Sequence, residues 1–397
     1  MFDYRKLFAL PYIGSAVDDS RIEGIDFLRG LSCLFVLTVH WFQYPDAPTF
    51  PNSSFVGVDI FFVISGYLIG GILIKNYLKT GSVDQGRFFI TRGVRIYPLH
   101  WVYFTYNIIT IFCWNGHVSG EVTPIRVFGE LFYLQNFFQG LQGITWSLAI
   151  EEQFYILLPI LMQVVISITG SIGSLPKVLV VLSVLPIIFR GITYGVWGSS
   201  EYHALYCYTF NRLEGLCLGV ALAHCSIYQT ERMRLLREKY GAILGFVGSV
   251  FICSAYGLNS KNSGVKAASY VAGFSVYAIG ATLVLFPLSA VTRFKGPLLL
   301  LRPVSMLGYY SYAVYLFHIN VKKTVVYIKR KTGIRPLYDA PTYPVYLGLA
   351  IFVGYVLYSI VDGTTRQWYS NWLKTKSPEA LEARKAKTRA SLSEQSA

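Results

Sequence analysis

Glu151 and Glu152 are adjacent in Trp146-Ser147-Leu148-Ala149-Ile150-Glu151-Glu152-Gln153-Phe154-Tyr155, and the chain runs on through Ile156-Leu157-Leu158-Pro159-Ile160-Leu161-Met162. A carboxylate in an apolar helix is costly, so a pair at the mouth of such a stretch implies a polar cavity rather than lipid. Three more groups capable of proton chemistry lie in similar surroundings. His40 sits in Thr38-Val39-His40-Trp41, Asp59 in Gly57-Val58-Asp59-Ile60-Phe61-Phe62-Val63-Ile64-Ser65-Gly66-Tyr67, and His318 closes Ser311-Tyr312-Ala313-Val314-Tyr315-Leu316-Phe317-His318. A histidine with an acid partner is the smallest set that deprotonates a hydroxyl. The same residues also fit a packed imidazole and structural ion pairs, and their positions must decide between the two.

Those positions depend on the elements that carry them. Of 397 residues, 53% are hydrophobic and 14% charged, against about 25% charged in soluble domains. The chain therefore reads as an all-α polytopic membrane protein. Apolar stretches of about 20 residues, the length a bilayer core requires, fall near 26–43, 55–78, 95–114, 146–169, 178–197, 205–226, 241–258, 266–290, 304–328 and 345–365. That makes about ten transmembrane helices. Val127 to Phe138 is apolar but short and carries Glu130, so it reads as an interfacial or re-entrant helix. The first apolar stretch follows Arg21 to Asp26 with no small-residue cleavage site behind it, and reads as a retained span.

Basic residues near the span ends set the orientation. Lys75, Lys79, Arg87, Arg92 and Arg95 follow the second span, Arg232, Arg234, Arg237 and Lys239 the sixth, and Arg293, Lys295 and Arg302 the eighth. These loops, and with an even span count both termini, are predicted cytoplasmic. Lys329, Arg330, Lys331 and Arg335 dissent, because they follow the ninth span on the outer side. Either that loop binds an anionic ligand or the count is off by one there.

On this topology Arg29 and His40, eleven residues apart, mark two depths about 16 Å apart on one helix. Arg29 lies toward the cytoplasm and His40 toward the outside. Asp59, Glu151, Glu152 and His318 fall near the depth of His40. On the inner side Arg92 and Arg95, three apart, would share a helix face and could bracket a phosphate, or could simply anchor the span.

The formal charge of +14 is explained by this topology signal and a basic tail, so nucleic acid is not an expected partner. The six cysteines show no paired metal spacing and read as small buried residues, so no metal is expected. Internal repeats of the kind found in many transporters are not evident.

Five blocks, in order, resemble the acyltransferase-3 family of integral-membrane O-acyltransferases. They are Ile25-Asp26-Phe27-Leu28-Arg29-Gly30-Leu31 leading to His40, Gly57 to Tyr67, Arg92-x-x-Arg95-Ile96-Tyr97-Pro98, Trp146 to Tyr155, and Ser311-Tyr312 to His318. The family usually has Gly after the Asp, where this chain has Phe27. The resemblance implies transfer of an acyl group, usually acetyl, from cytoplasmic acyl-CoA to a hydroxyl of a carbohydrate or glycoconjugate outside. By the same resemblance His40 would be the general base or a transient acyl carrier, with Asp59, Glu151 and Glu152 orienting it or completing the cavity. Arg29, Arg92 and Arg95 would engage the phosphates of acetyl-CoA, and His318, Ser311 and Trp146 the substrate.

The domain plan is a cytoplasmic segment over 1–21, a transmembrane acyltransferase domain over 22–366 and a polar basic, disordered tail over 367–397. Relatives often carry a C-terminal hydrolase-like domain, and the tail is too short for one. The chain is thus expected to act alone or with a separate partner, such as a polysaccharide-assembly protein, in the cell (inner) membrane. The rival reading is a transporter or exporter without covalent chemistry.

Overall fold

A computed structural model of the chain describes residues 21–42, 56–113, 123–138, 140–198, 200, 202–254, 267–335 and 337–375. Among these every regular element is helical, as expected where a backbone in an apolar medium must bond to itself. The helices are α1 Glu23–Phe42, α2 Val56–Thr80, α3 Gln85–Cys113, α4 Pro124–Leu131, α5 Gln135–Phe138, α6 Trp146–Thr169 and α7 Leu175–Trp197. They continue as α8 Tyr202–Cys207, α9 Glu214–Tyr228, α10 Thr230–Cys253, α11 Phe274–Leu288, α12 Arg302–Lys331, α13 Tyr343–Leu357 and α14 Gly363–Thr375.

By length and composition, six described segments are apolar enough to cross a membrane: Glu23–Phe42, Val56–Thr80, Trp146–Thr169, Ile172–Trp197, Ser269–Leu288 and Tyr343–Tyr369. The other stretches read as spans from the sequence fall in α3, α8 with α9, α10 and α12. The first and last segments of the expected domain plan, and the tail beyond 375, lie largely outside the described residues.

Two glycine contacts set the packing that matters for the site. A Cβ on Gly30 would stand 1.8 Å from the carbonyl oxygen of Val304, and one on Gly308 1.8 Å from that of Asp26. The backbones of α1 and α12 thus touch, and they run parallel, since Glu23 at the start of α1 pairs with Arg302 at the start of α12 and His40 farther along meets His318. Small residues that let backbones approach are a common device where apolar burial alone does not drive helices together. A second contact of this kind joins α2 to α9, where Gly66 meets Leu216 and Gly219 meets Val63.

The segment Val127 to Phe138 does not form a single helix. α4 and α5 fold back on each other, and the tip between them carries Tyr133, the one non-glycine residue with positive φ among the described residues (φ 55°). Its carbonyl accepts a hydrogen bond from Gln153 at 2.7 Å, and its ring stacks on His100 at 4.7 Å. Glu130 is fully buried behind this tip, where Oε2 accepts from the Leu141 amide at 3.2 Å and the Thr145 hydroxyl at 3.1 Å. Burial pushes its carboxyl up to about 7, against the smaller opposing effect of those hydrogen bonds.

The basic run at the end of α12 is partly structural. Lys329 is buried and donates to Asp339 at 2.8 Å and Thr342 at 2.9 Å, clamping the loop that follows. Trp41 of α1 donates to the carbonyl of Asp339 at 3.0 Å and stacks on Tyr346.

Candidate active site

A cavity of about 210 Å³ opens between α1, α2, α3, α6 and α12, with Tyr358 and Asp362 from the π-helical turn after α13 closing one side. Its polar wall includes Arg29, Arg92, Arg95, Glu151, Glu152 and Ser311, while Phe61, Leu68, Ile69 and Ile72 supply an apolar one. The three arginines singled out from sequence therefore converge, although Arg29 and Arg92 are far apart in the chain. A charged end joined to an apolar slot suits a ligand with anionic groups and a thin apolar arm.

Glu151 and Glu152 are held on this arginine side. Arg92 lies 3.4 Å from Glu152 and 4.0 Å from Glu151, with its guanidinium 3.6 Å over the Tyr155 ring. Glu151 accepts from the Ser65 hydroxyl at 2.7 Å and from the Tyr155 hydroxyl at 3.1 Å, and Tyr97 donates to Glu152 at 3.5 Å. The adjacent carboxylates thus share Arg92 while their hydroxyl partners differ. They stay buried because a cation and several hydroxyls share their charge.

The imidazoles form a separate pair. His318 Nε2 lies 3.0 Å from His40 Nδ1, and His318 Nδ1 lies 2.6 Å from the carbonyl oxygen of Tyr315. A carbonyl only accepts, so Nδ1 of His318 carries a proton. In a neutral ring Nε2 then has a lone pair and receives the Nδ1 proton of His40. That leaves His40 Nε2 as a lone pair ready to accept. His318 is fully buried and His40 is half-buried, so the inner ring orients the outer one. Lys322 donates to the carbonyl of His40 at 2.6 Å, satisfying an acceptor in the last turn of α1.

Tyr315 connects the pair to the cavity. Its hydroxyl donates to the Ile144 carbonyl at 2.8 Å and therefore receives the Ser147 proton at 2.7 Å. Both residues line the cavity, and Tyr315 stands one turn before His318. The imidazole pair thus lies behind the cavity wall, joined to it through Tyr315.

The matched family model, an acyltransferase domain, covers residues 22–359. The chain belongs to the acyltransferase-3 family. Relatives of this acyltransferase-3 chain include the "Putative peptidoglycan O-acetyltransferase YrhL" of Bacillus subtilis strain 168, 26% identical over 76% of this chain and 48% of the relative. "Peptidoglycan O-acetyltransferase OatA" of Listeria monocytogenes serovar 1/2a is 26% identical over 76% of this chain and 49% of its own length. "Putative O-acetyltransferase SACOL0978" of Staphylococcus aureus strain COL is 25% identical over 84% and 61%. The chain spans about half the length of the first two. No solved structure matches it.

Within this acyltransferase-3 chain the expected cluster of two imidazoles and three carboxylates at one depth does not form. Among the described residues no carboxylate lies within hydrogen-bonding or ion-pair distance of His40 or His318. Asp59 instead pairs with Arg212 at 2.7 Å. The guanidinium of Arg212 is boxed by the rings of Phe274, Tyr206, Trp146 and Phe62. Trp146 therefore packs on this buried pair and not on the cavity. Glu151 and Glu152, expected near the depth of His40, instead meet Arg92, which was expected on the inner side, and for Asp59 the turn before α9 supplied a cation as partner. Ser311 does line the cavity, with its hydroxyl bonded to the Gly308 carbonyl at 2.8 Å.

Several functional neighbours were not singled out from sequence. Ser65, Tyr155, Ser147 and Tyr315 lie inside the quoted blocks, but their hydroxyls carry no charge to mark them. Arg190, Arg212 and Glu214 had a signal. They are charges in apolar stretches, as telling as Glu151, and Arg190 pairs with Glu214 at 2.7 Å.

Proposed function

We propose that the protein is a membrane O-acyltransferase that moves an acetyl group from acetyl-CoA, bound from the cytoplasm, to a hydroxyl of a carbohydrate or glycoconjugate outside. The observation that carries this reading is the imidazole pair beside an arginine-lined cavity, with Tyr315 common to both. Family membership and the names of the O-acetyltransferase relatives support it.

In the proposed reaction Arg29, Arg92 and Arg95 hold the donor phosphates, and the apolar slot takes the arm that ends in the thioester. His40 Nε2 removes the proton of the acceptor hydroxyl as its oxygen bonds to the thioester carbonyl carbon. The tetrahedral adduct collapses, the carbon–sulfur bond breaks, and the thiolate leaves to be protonated as free CoA. His318 supports the positive charge that His40 gains, the task a carboxylate performs in a Ser-His-Asp triad. Two separate sites remove any need for the carboxylates to touch the base. Glu151 and Glu152 shape and balance the donor site.

The setting proposed is the cell membrane of a bacterium, with about ten spans and both termini cytoplasmic. Polysaccharide-assembly proteins are the natural partners.

The test uses purified protein in nanodiscs with radiolabelled acetyl-CoA and a cell-wall glycan fraction. Label is expected on glycan with wild type and absent with His40→Ala, while both bind donor alike. Folded wild-type protein that binds no acetyl-CoA would overturn the reading.

A further inference from the structure

A seam of buried carboxamides runs beyond the cavity, between α3, α12 and the residues just before α6. Gln142 bridges it, with Nε2 donating to Oδ1 of Asn107 and, at 2.5 Å, to Oδ1 of Asn320. Asn107, Gln142 and Asn320 are 0%, 8% and 7% exposed. Lys323 reaches Oε1 of Gln142 at 3.4 Å from the outer end. One donor in this network is unmet, because Nδ2 of Asn320 is buried without a hydrogen-bond partner.

Such an orphan donor costs roughly 1–3 kcal/mol. It is informative because its neighbours are well bonded and because of where Asn320 stands along the helix. Lys323 stands eleven residues beyond the cavity-lining Tyr312, about three turns on the same face of α12. Asn320 is three residues before Lys323 and shares that side. The face of α12 that lines the cavity through Tyr312 and Tyr315 thus continues outward into the carboxamides.

We infer that this seam is the acceptor subsite, in which Asn320, Gln142 and Asn107 read the hydroxyl and amide groups of a carbohydrate chain that Lys323 meets at the outer mouth. The inference rests on the acyltransferase reading for its meaning, but it concerns binding at a place distinct from the arginines and from His40. Carboxamides offer a donor and an acceptor side by side, which matches vicinal hydroxyls. Gln142 is the movable bolt, since its bonds to Asn107 and Asn320 can be exchanged for bonds to a sugar. The orphan Nδ2 of Asn320 gains a partner only when the ligand is in place.

The experiment measures two things on full-length protein in nanodiscs: direct binding of chitotetraose without donor, and transfer from acetyl-CoA to chitotetraose. Asn320→Leu and Gln142→Met remove the hydrogen-bonding ends while keeping a side chain of similar shape, Lys323→Ala probes the outer mouth, and acetyl-CoA affinity reports whether each variant is folded. The expected result is a rise of tenfold or more in the chitotetraose dissociation constant and in acceptor KM for Asn320→Leu and Gln142→Met, a smaller rise for Lys323→Ala, and unchanged acetyl-CoA affinity. Unchanged glycan binding in the two carboxamide variants, or no glycan binding by wild type, overturns the subsite. Wild type that binds glycan at this seam yet never transfers acetyl overturns the acyltransferase reading and leaves the subsite standing.

Discussion

His40 Nδ1 meets His318 Nε2 at 3.0 Å, and each histidine stands ten residues beyond a glycine at which their helices touch, Gly30 and Gly308. Equal offsets on parallel helices put the two rings at one height, about 15 Å from the glycine contact. His40 is therefore positioned by backbone packing far from it, and its ring partner is a second histidine rather than an acid.

His318→Ala is expected to lower acetyl transfer by about 10²–10⁴-fold with acetyl-CoA affinity unchanged. His318→Gln should recover part of the loss, because an amide can still accept from His40 Nδ1. Single-turnover kinetics beside donor-binding isotherms check this. A fall in donor affinity matching the fall in rate would assign His318 to folding instead.

Arg92 offers a planar contact over Tyr155 as well as charge to both glutamates. Arg92→Lys keeps the charge and loses the stack and the fork, so acetyl-CoA affinity should drop tenfold or more while the protein stays folded. Arg92→Ala should also lose on the order of 3–5 kcal/mol of stability, since it strands two buried carboxylates. Calorimetry and thermal unfolding distinguish the two variants.

Asp59 and Arg212 form a structural pair in this geometry, and stability should follow that. Asp59→Leu or Arg212→Met alone should cost about 3–5 kcal/mol, and the double variant should regain most of it. Thermal melting and retained acetyl transfer in the double variant are the readout. A folded double variant with no activity would return Asp59 to the chemistry.

Glu130 carries the pH dependence that is easiest to isolate. Its folded value of about 7 lies above its ordinary 4.5, so the folded state holds the proton more tightly. The stability from this site is complete below pH 4.5 and is lost as pH rises through 7, on the order of 3 kcal/mol in total. Glu130→Gln mimics the protonated form and should flatten stability between those values, making the variant more stable than wild type at pH 8. Melting temperatures across that range test it, and parallel curves for the two proteins would count against a buried, protonated Glu130.

The sequence by itself determined the helical membrane class, the family, and the residues expensive enough in an apolar chain to need a purpose: Arg29, His40, Asp59, Arg92, Glu151, Glu152 and His318. Burial cost and helical period are local quantities, so they can be read along one dimension. Lateral neighbourhood is not local. Only the tertiary structure decided that His40 meets His318, that Glu151 and Glu152 go to Arg92, and that Asp59 goes to Arg212. Those choices follow from which helix backbones touch, through glycines such as Gly30 and Gly308 whose spacing does not name their partner helix. They also follow from neutral hydroxyls and carboxamides, Tyr315, Ser147, Gln142 and Asn320, whose roles appear only when an acceptor or donor stands opposite them.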